Sequence, residues 1–311
     1  MSSPSSATAV SIDIVMPFYG SFDLLRAAVL SVQAQTDPDW RLTIVDDRYP
    51  DPEPMAWART LNDPRITVVE NAHNLGVSGN FTRSVELADA DFAMIIGCDD
   101  ILLPTYISRM RELAARFPDA AYLQPGVEVI DADGTVVLPL ADRVKGYYRP
   151  TVSGPRSLSG ETLATSLLRG NWTYFPSILW RTEVLKKHGF RSDLDVVLDL
   201  ALQIEIVTDG GILVLDTVPT FRYRRHQASV SSWKASDGSR FREEQRYFLE
   251  AAAAMRELGW RRAAGAATRH VTSRLNAVTR LPSALSARDR SGIRSLLGHA
   301  LSMRTSPRNQ L

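Results

Sequence analysis

Between residues 11 and 100 the chain alternates short apolar runs with stretches of helical periodicity, and this constrains its fold more than any other feature. Such βαβ alternation folds as a largely parallel sheet with helices on its faces, because parallel neighbours need a crossover connection. Ser11–Met16 reads as a strand ended by Pro17, and Phe22–Val32 then places Phe22, Leu25, Val29 and Val32 on one helical stripe. Leu42–Val45 is a second strand, closing on Asp46-Asp47 and a proline-rich loop through Pro54. Ile66–Glu70 is a third. The polar, glycine-bearing segment Asn71–Gly79 leads into a helix over Asn80–Leu87, and Phe92–Ile96 is the strand that delivers Asp99-Asp100.

Further along, Pro104 suits the first turn of a helix continuing over Tyr106–Phe117. Ala121–Ile130 and Thr135–Leu138 flank Asp131-Ala132-Asp133-Gly134, a hairpin signal. Arg143–Gly160 reads as a loop, broken by Pro150, Gly154, Pro155 and Gly160. A short helix over Glu161–Arg169, a strand over Ser177–Trp180 and a helix over Val196–Val207 follow, then strands at Ile212–Leu215 and Thr220–Arg224. Beyond Ser236 the pattern stays helical, through Ala251–Leu258, Ala263–Val278 and Ser286–Met303.

A chain of 311 residues accommodates one large α/β domain with an appendage, or two modest domains. Cys98 is the single cysteine, so no intrachain disulfide can form, which fits a reducing cytoplasm. No uninterrupted apolar run approaches the roughly 20 residues of a membrane span. Met1–Ala9 is serine-rich and lacks a basic start and a long apolar stretch, so it reads as a disordered leader rather than a signal peptide. The net charge of +1 conceals an asymmetry: residues 240–311 hold 14 Lys and Arg against five acids, net +9, leaving −8 for the rest. A basic tail on an acidic body points to an anionic partner such as a lipid surface, or to a solvated helix face.

In an open parallel sheet, ligands bind at the carboxyl ends of the strands. Four such ends here carry distinctive residues: Pro17-Phe18-Tyr19-Gly20, Asp46-Asp47, His73-Asn74-Leu75-Gly76 and Gly97-Cys98-Asp99-Asp100. Adjacent carboxylates after a buried strand repel each other unless a cation or hydrogen-bond donors share the charge. Mg²⁺ suits such a place, since it bridges one or two carboxylates to substrate phosphates. The alternative is that one of the two acids merely caps the helix entered at Pro104.

The run from Ser11 to Gly20, then Gln35-Thr36, Ile44-Val45-Asp46-Asp47, Asn74-Leu75-Gly76 with Asn80, and Asp99-Asp100-Ile101 with Pro104, resembles the family 2 glycosyltransferases of the GT-A fold. The resemblance covers roughly residues 10 to 235. It implies an α/β fold with a GT-A-type, mostly parallel sheet flanked by helices, followed by a C-terminal helical extension. The expected organisation is a leader at 1–9, a glycosyltransferase domain at 10–235 and a basic helical extension at 236–311. Within the domain, 10–125 forms the nucleotide-binding half and 126–235 the acceptor-side half.

By the same resemblance, Pro17 and Tyr19 line the nucleotide pocket, with the Tyr19 ring stacking on a pyrimidine. Asp47, in preference to Asp46, accepts from the base N3–H, which selects uracil or thymine over cytosine. Gly76 and Asn80 approach the nucleotide, Asp99 holds the ribose or diphosphate, and Asp100 ligates a divalent cation, Mg²⁺ or Mn²⁺. Family members often carry a further acid at the position of Gly97. Gly189-Phe190-Arg191 with Leu194-Asp195 and Leu198-Asp199-Leu200 resembles the segment that ends in the general base, which falls on Asp199; Asp195 is the rival four residues earlier. Tyr223-Arg224-Arg225-His226 resembles the closing segment, where Arg224 or Arg225 meets the diphosphate and His226 can serve as a metal ligand. Asn171-Trp172-Thr173-Tyr174-Phe175-Pro176 suits either stacking on a sugar or packing of the loop itself.

The implied function is inverting transfer of a sugar from a UDP- or dTDP-sugar to an acceptor hydroxyl on a glycan, a lipid-linked sugar or a secondary metabolite. The expected place is the cytoplasm, with the basic tail offering a peripheral contact at the inner face of the cell membrane; nucleic acid is not an expected partner. The rivals are a catalytically impaired nucleotide-sugar-binding protein of the same fold, a nucleotidyltransferase, and a scaffold whose helical tail is the functional part. A nucleotidyltransferase normally brings a loop rich in glycine and lysine, which Phe18-Tyr19-Gly20-Ser21 is not.

Overall fold

Four parallel strands form the first half of the sheet. The structure, a computed structural model, describes residues 10–225, 239–275, 277–278 and 297–298. Strands β1 (Ile12–Phe18), β2 (Arg41–Asp46), β3 (Ile66–Glu70) and β4 (Phe92–Ile95) pair in parallel in the order β3-β2-β1-β4. Helices α1 (Phe22–Gln33), α2 (Glu53–Thr60) and α3 (Gly76–Leu87) connect them. Strand order reverses at β1, which opens a crevice between β1 and β4 at their carboxyl ends.

Beyond β4 the sheet becomes mixed. Strand β5 (Ile101–Leu102) and helix α4 (Tyr106–Arg116) lead to the long β6 (Ala120–Ile130). Helix α5 (Leu140–Tyr148), strand β7 (Arg156–Leu158) and helix α6 (Gly160–Arg169) follow, then a 3₁₀ turn over Phe175–Ser177 and strand β8 (Leu179–Arg181). Helices α7 (Thr182–His188) and α8 (Leu198–Thr208) precede β9 (Ile212–Arg224). The sheet order is β3-β2-β1-β4-β8-β6-β9-β5, with β7 on β9. β8 runs antiparallel to both β4 and β6, while β9 is parallel to β6.

Period-two alternation divides the core between the two faces of the sheet. Ile12, Ile14 and Met16 of β1 pack with Leu25 and Val29 of α1 and Met110 of α4. Val15 and Ile95 face the opposite layer, with Leu167 of α6 and Ile204 of α8. Two helices past residue 238, α9 (Ser239–Glu257) and α10 (Arg261–Arg269), join that second layer through Tyr247, Phe248, Met255, Ala263 and Ala267. Among the described residues no helix is long and apolar enough to cross a membrane.

Several elements depart from the sequence expectations. β1 continues through Pro17 to Phe18. Its pairing with β4 ends at Val15↔Ile95, so the missing Pro17 N–H costs no ladder bond on that side. Pro52 and Pro54 open α2 rather than a loop, since the first turn of a helix needs no intrahelical N–H partner. The segment expected to be a loop over Arg143–Gly160 instead holds most of α5 and all of β7. The expected strands at Ile212–Leu215 and Thr220–Arg224 are one strand, which carries Pro219 past a bulge opposite Gly126. A Cβ at Gly126 would lie 2.4 Å from the Thr217 carbonyl oxygen, so only glycine allows that approach. After Ile130 the hairpin turn forms as expected, but Thr135–Leu138 makes only an isolated bridge, Ile130↔Val136. The leader at 1–9 and most of the expected helix over Ser286–Met303 lie outside the described residues.

Candidate active site

The carboxyl ends of β1, β2 and β3 are hooked side by side: the amide of Asp47 donates to the Phe18 carbonyl at 3.0 Å, and that of Asn71 to the Asp46 carbonyl at 2.9 Å. Asp47, 2% exposed, is the hub. Its Oδ1 accepts from Asn71 Nδ2 at 2.9 Å and from the Leu75 amide at 2.8 Å, and its Oδ2 from the Gly76 amide at 2.9 Å. These amides open α3, so Asp47 caps that helix from a distant strand, which explains why α3 starts four residues before the expected Asn80. Gly76 sits at φ +70°, a left-handed conformation that favours glycine. Asn80 is buried, accepts from Asn71 Nδ2 at 3.0 Å and donates to the Val45 carbonyl at 3.4 Å.

These bonds limit how Asp47 can meet a base. Three chain donors already occupy its carboxylate, and an ionised carboxylate has about four acceptor positions. Asp46 is also buried, accepts from the Tyr49 amide at 3.0 Å, and has its pKa raised by that burial. Tyr19 stands at the mouth, 55% exposed, with its ring braced edge-on by Tyr49 at a centroid distance of 5.3 Å. Pro17, half-buried, precedes it at the end of β1.

Behind β4 lies the acid pair. An ideal Cβ built on Gly97 would lie 2.7 Å from Asp99 Oδ1 and 2.7 Å from Asp100 Oδ2, so both carboxylates turn into the space that glycine leaves. Asp100 is 1% exposed, and its Oδ1 accepts from the Arg224 amide at 2.9 Å. Burial, and then the Asp99 charge beside it, hold the Asp100 pKa well above the ordinary carboxylate value. Burial likewise pushes the neighbouring Cys98 thiol up to about 12, which leaves it a thiol.

Two hard carboxylate oxygens converging on one point fit a divalent cation whose remaining ligands are phosphate oxygens and water. Among the described residues no group of three or more His, Cys, Asp or Glu could hold a metal without such help. His226, the expected second ligand, lies outside the described residues.

The end of β9 does not present Arg224 to a phosphate. Arg224 is buried and its guanidinium donates to the carbonyls of Asp99 (2.8 Å), Asp131 (3.0 Å) and Ala132 (2.8 Å). It ties the 131–134 turn to the acid pair. Arg225 is held in a bidentate pair with Asp142 of α5, Nε to Oδ2 at 2.5 Å and Nη2 to Oδ1 at 2.8 Å. Tyr174 OH donates to the same Asp142 Oδ1 at 2.9 Å.

One helical turn after Asp142, Lys145 donates to the Thr173 carbonyl at 2.8 Å and sits 4.3 Å from the Tyr174 ring centroid. Burial, and then the Arg225 charge, bring the Lys145 pKa down to about 8, while Asp199 opposes that shift. Asp199 lies in the first turn of α8, half-buried, with Oδ2 accepting from Asn171 Nδ2 at 2.8 Å. Burial raises its pKa; the Asn171 hydrogen bond and then Lys145 act against that. Behind it, Gln203 Nε2 donates to Thr173 Oγ1 at 2.9 Å, and Thr173 Oγ1 donates to Asn171 Oδ1 at 2.7 Å. This relay fixes the Asn171 amide with its nitrogen toward Asp199.

Asp195 does not share that face. It precedes α8, is exposed, and accepts from Ser78 Oγ. Between it and Asp199 the chain is held by Glu243 of α9, whose Oε1 accepts from the amides of Asp195 (3.0 Å), Val196 (2.6 Å) and Val197 (3.2 Å). In the aromatic loop, Trp172, Tyr174 and Phe175 are packed inward, so the packing alternative holds for these rings. Sequence reasoning missed Asn71, Asp142, Lys145 and Glu243, because each acts on a partner at least nine residues away.

The profile of the family described as glycosyl transferase family 2 matches residues 13–169. The chain belongs to family 2 of the glycosyltransferases. That match takes in the strand ends, the acid pair, Asp142 and Lys145, and stops two residues before Asn171. The succinoglycan biosynthesis protein ExoO of Rhizobium meliloti is 25% identical over 236 residues, 74% of this chain and 65% of its own length. The protein y4gI of Sinorhizobium fredii is 28% identical over 142 residues, 45% of this chain and 15% of its own. The chain thus spans less than two thirds of either curated relative. Residues 1–349 of S. aureus TarS, crystallised with UDP-GlcNAc, superpose with a TM-score of 0.60 at 14% identity, covering 94% of this chain and 91% of that one. At that identity the likeness establishes the GT-A-like fold, a mostly parallel mixed sheet flanked by helices.

Proposed function

We propose that this family 2 glycosyltransferase moves a sugar from a UDP- or dTDP-sugar to an acceptor hydroxyl, inverting the anomeric centre. The observation that carries the reading is the convergence of Asp99 and Asp100 on the space beside Gly97, at the strand ends where Tyr19 offers an open ring face. The UDP-GlcNAc seen with TarS supports a uridine nucleotide as the donor to test first. The name of ExoO supports a saccharide acceptor.

In this reading Pro17 and Tyr19 hold the base, and the acceptor position left on Asp47 takes its N3–H. Asp47 also sets the loop of Gly76 and Asn80 against the nucleotide. Asp99 holds the ribose or diphosphate, and Asp100 would hold Mg²⁺ or Mn²⁺. Such a cation, when bound, neutralises charge on the leaving diphosphate. Arg225, oriented by Asp142, adds a second positive charge on that side. Asp199 takes the proton of the acceptor hydroxyl as its oxygen bonds to the anomeric carbon, and the bond from that carbon to the diphosphate oxygen breaks on the opposite face. A raised pKa suits Asp199 to that work, since a stronger base accepts the proton more readily. We place the enzyme in the cytoplasm, with the basic tail as a peripheral contact at the inner face of the membrane.

A thermal-shift panel of sugar nucleotides with Mn²⁺ tests the donor class. UDP- or dTDP-sugars should raise Tm more than CDP- or ADP-sugars; equal shifts for all four would remove the base-reading role from this pocket.

A further inference from the structure

A cavity lies away from the acid pair, lined in part by α5 and α6. It measures about 740 Å³ and is bounded by α5, β7, α6 and α10. Arg156, Arg169, Arg262 and Arg269 stand around it, and none of its lining residues is an Asp or Glu. Arg262 is paired with Glu161. Among the described residues, the guanidinium groups of Arg156, Arg169 and Arg269 make no hydrogen bond or ion pair. Three uncompensated cations around one hollow repel each other, an arrangement that an anion relieves.

The lining also carries apolar residues, among them Leu158, Leu163 and Ala266, together with Tyr147 and Tyr148. A shallower hollow next to it shares Arg269 and adds Arg256 and Arg261, again without a carboxylate. The cavity also shares elements with the candidate transfer site. Helix α5 supplies Asp142 and Lys145 to that site and Tyr147 and Tyr148 to the cavity. Arg169 is two residues before Asn171, the donor to Asp199. Ser166, another lining residue, accepts from Trp172 Nε1 at 2.9 Å.

We propose that this cavity binds a phosphate-bearing ligand, with the arginines on the phosphates and the apolar residues and tyrosines against its body. On the glycosyltransferase reading, on which this assignment of role rests, that ligand is the anionic part of the acceptor. Arginine suits the task because its planar fork meets phosphate oxygens in pairs.

The test is calorimetric titration of the full chain at low salt in EDTA, with saturating UDP present. The two probes are sodium tripolyphosphate, a free polyanion, and farnesyl phosphate below its micelle concentration, a phosphate on an apolar body. Wild type should bind at least one of them saturably. The triple variant Arg156→Gln, Arg169→Gln, Arg269→Gln should bind it at least ten-fold more weakly. A control that removes three exposed charges elsewhere, Arg26→Gln, Arg116→Gln, Lys186→Gln, should stay within two-fold of wild type. Tighter binding of farnesyl phosphate assigns the site to an amphiphile; equal or tighter binding of tripolyphosphate assigns it to a free polyanion. No saturable binding of either probe, or equal loss in both triple variants, overturns the proposal. UDP affinity with Mn²⁺, measured on the same proteins, reports folding of the variants. It also tests the glycosyltransferase reading separately, since the cavity can bind an anion whether or not UDP binds.

Discussion

The backbone amide of Arg224 donates a hydrogen bond of 2.9 Å to Oδ1 of Asp100, joining the end of the last strand to the acid pair after the fourth. The Arg224 amide, the Arg224 charge and a Gly97 backbone hydrogen bond favour the ionised carboxylate, but burial and the Asp99 charge beside it outweigh them. Asp100 is therefore a point of stored instability that a bound cation would relieve.

The first prediction concerns that instability. A carboxyl group whose folded pKa lies above its unfolded value destabilises the protein once pH rises past the unfolded value, and the penalty grows until pH reaches the folded one. At neutral pH in EDTA, Asp100→Asn should raise Tm, because a neutral amide removes the penalty and its oxygen can still accept from Arg224. Mn²⁺ should raise the Tm of wild type and leave that of the variant unchanged. A lower Tm for the variant in EDTA would mean that Asp100 is satisfied without a cation.

A second prediction addresses the base. Asp199→Asn should leave UDP affinity intact and lower kcat by roughly 10²–10⁴-fold, the usual range for a general base. Asn171→Leu and Lys145→Met each remove a group that favours the ionised carboxylate. Both should move the acidic limb of the kcat/KM profile to higher pH. A limb that stays in place in both variants would detach it from Asp199.

Asp142→Ala should unfold more easily in urea, by about 3 kcal/mol, the low end for breaking a buried ion pair. The low end applies because the Arg225 side chain keeps 29% of its surface in solvent while that of Asp142 keeps none. A change below about 1 kcal/mol in the denaturation midpoint analysis would show the pair to be loosely held.

Glu243→Ala should cost on the order of 1–2 kcal/mol, because three amides ahead of α8 lose their acceptor. It should also lower kcat with unchanged UDP affinity, since those amides lead directly into Asp199. Full activity in the variant would make the extension a structural cover only.

Much of this was legible in the sequence, and the physical reason for each limit is specific. The parallel half of the sheet was readable because the apolar alternation of Ile12, Ile14 and Met16 and the stripe of Leu25 and Val29 are local signals. The acid pair stood out because Asp99-Asp100 follows a buried strand. What local patterns cannot carry is a cap supplied from elsewhere. Helices α3, α8 and α10 start against Asp47, Glu243 and Glu161, each at least 28 residues from the amides it receives. Helix α5 was hidden by the prolines and glycines that follow Tyr148, so Lys145 fell in an expected loop and Asp142, three residues before it on the same helix, carried no local signal. Arg224 and Arg225 are adjacent in sequence and looked interchangeable; only the geometry separates a guanidinium bound by three carbonyls from one paired with Asp142.

The most direct test of the account is calorimetric titration of UDP into the full chain, once with Mn²⁺ and once with EDTA. If Asp99 and Asp100 hold a cation for the diphosphate, affinity with Mn²⁺ should exceed that in EDTA by at least ten-fold, and Asp100→Asn should erase the difference. Equal affinities in the two buffers, or a metal dependence that survives in the variant, would contradict it.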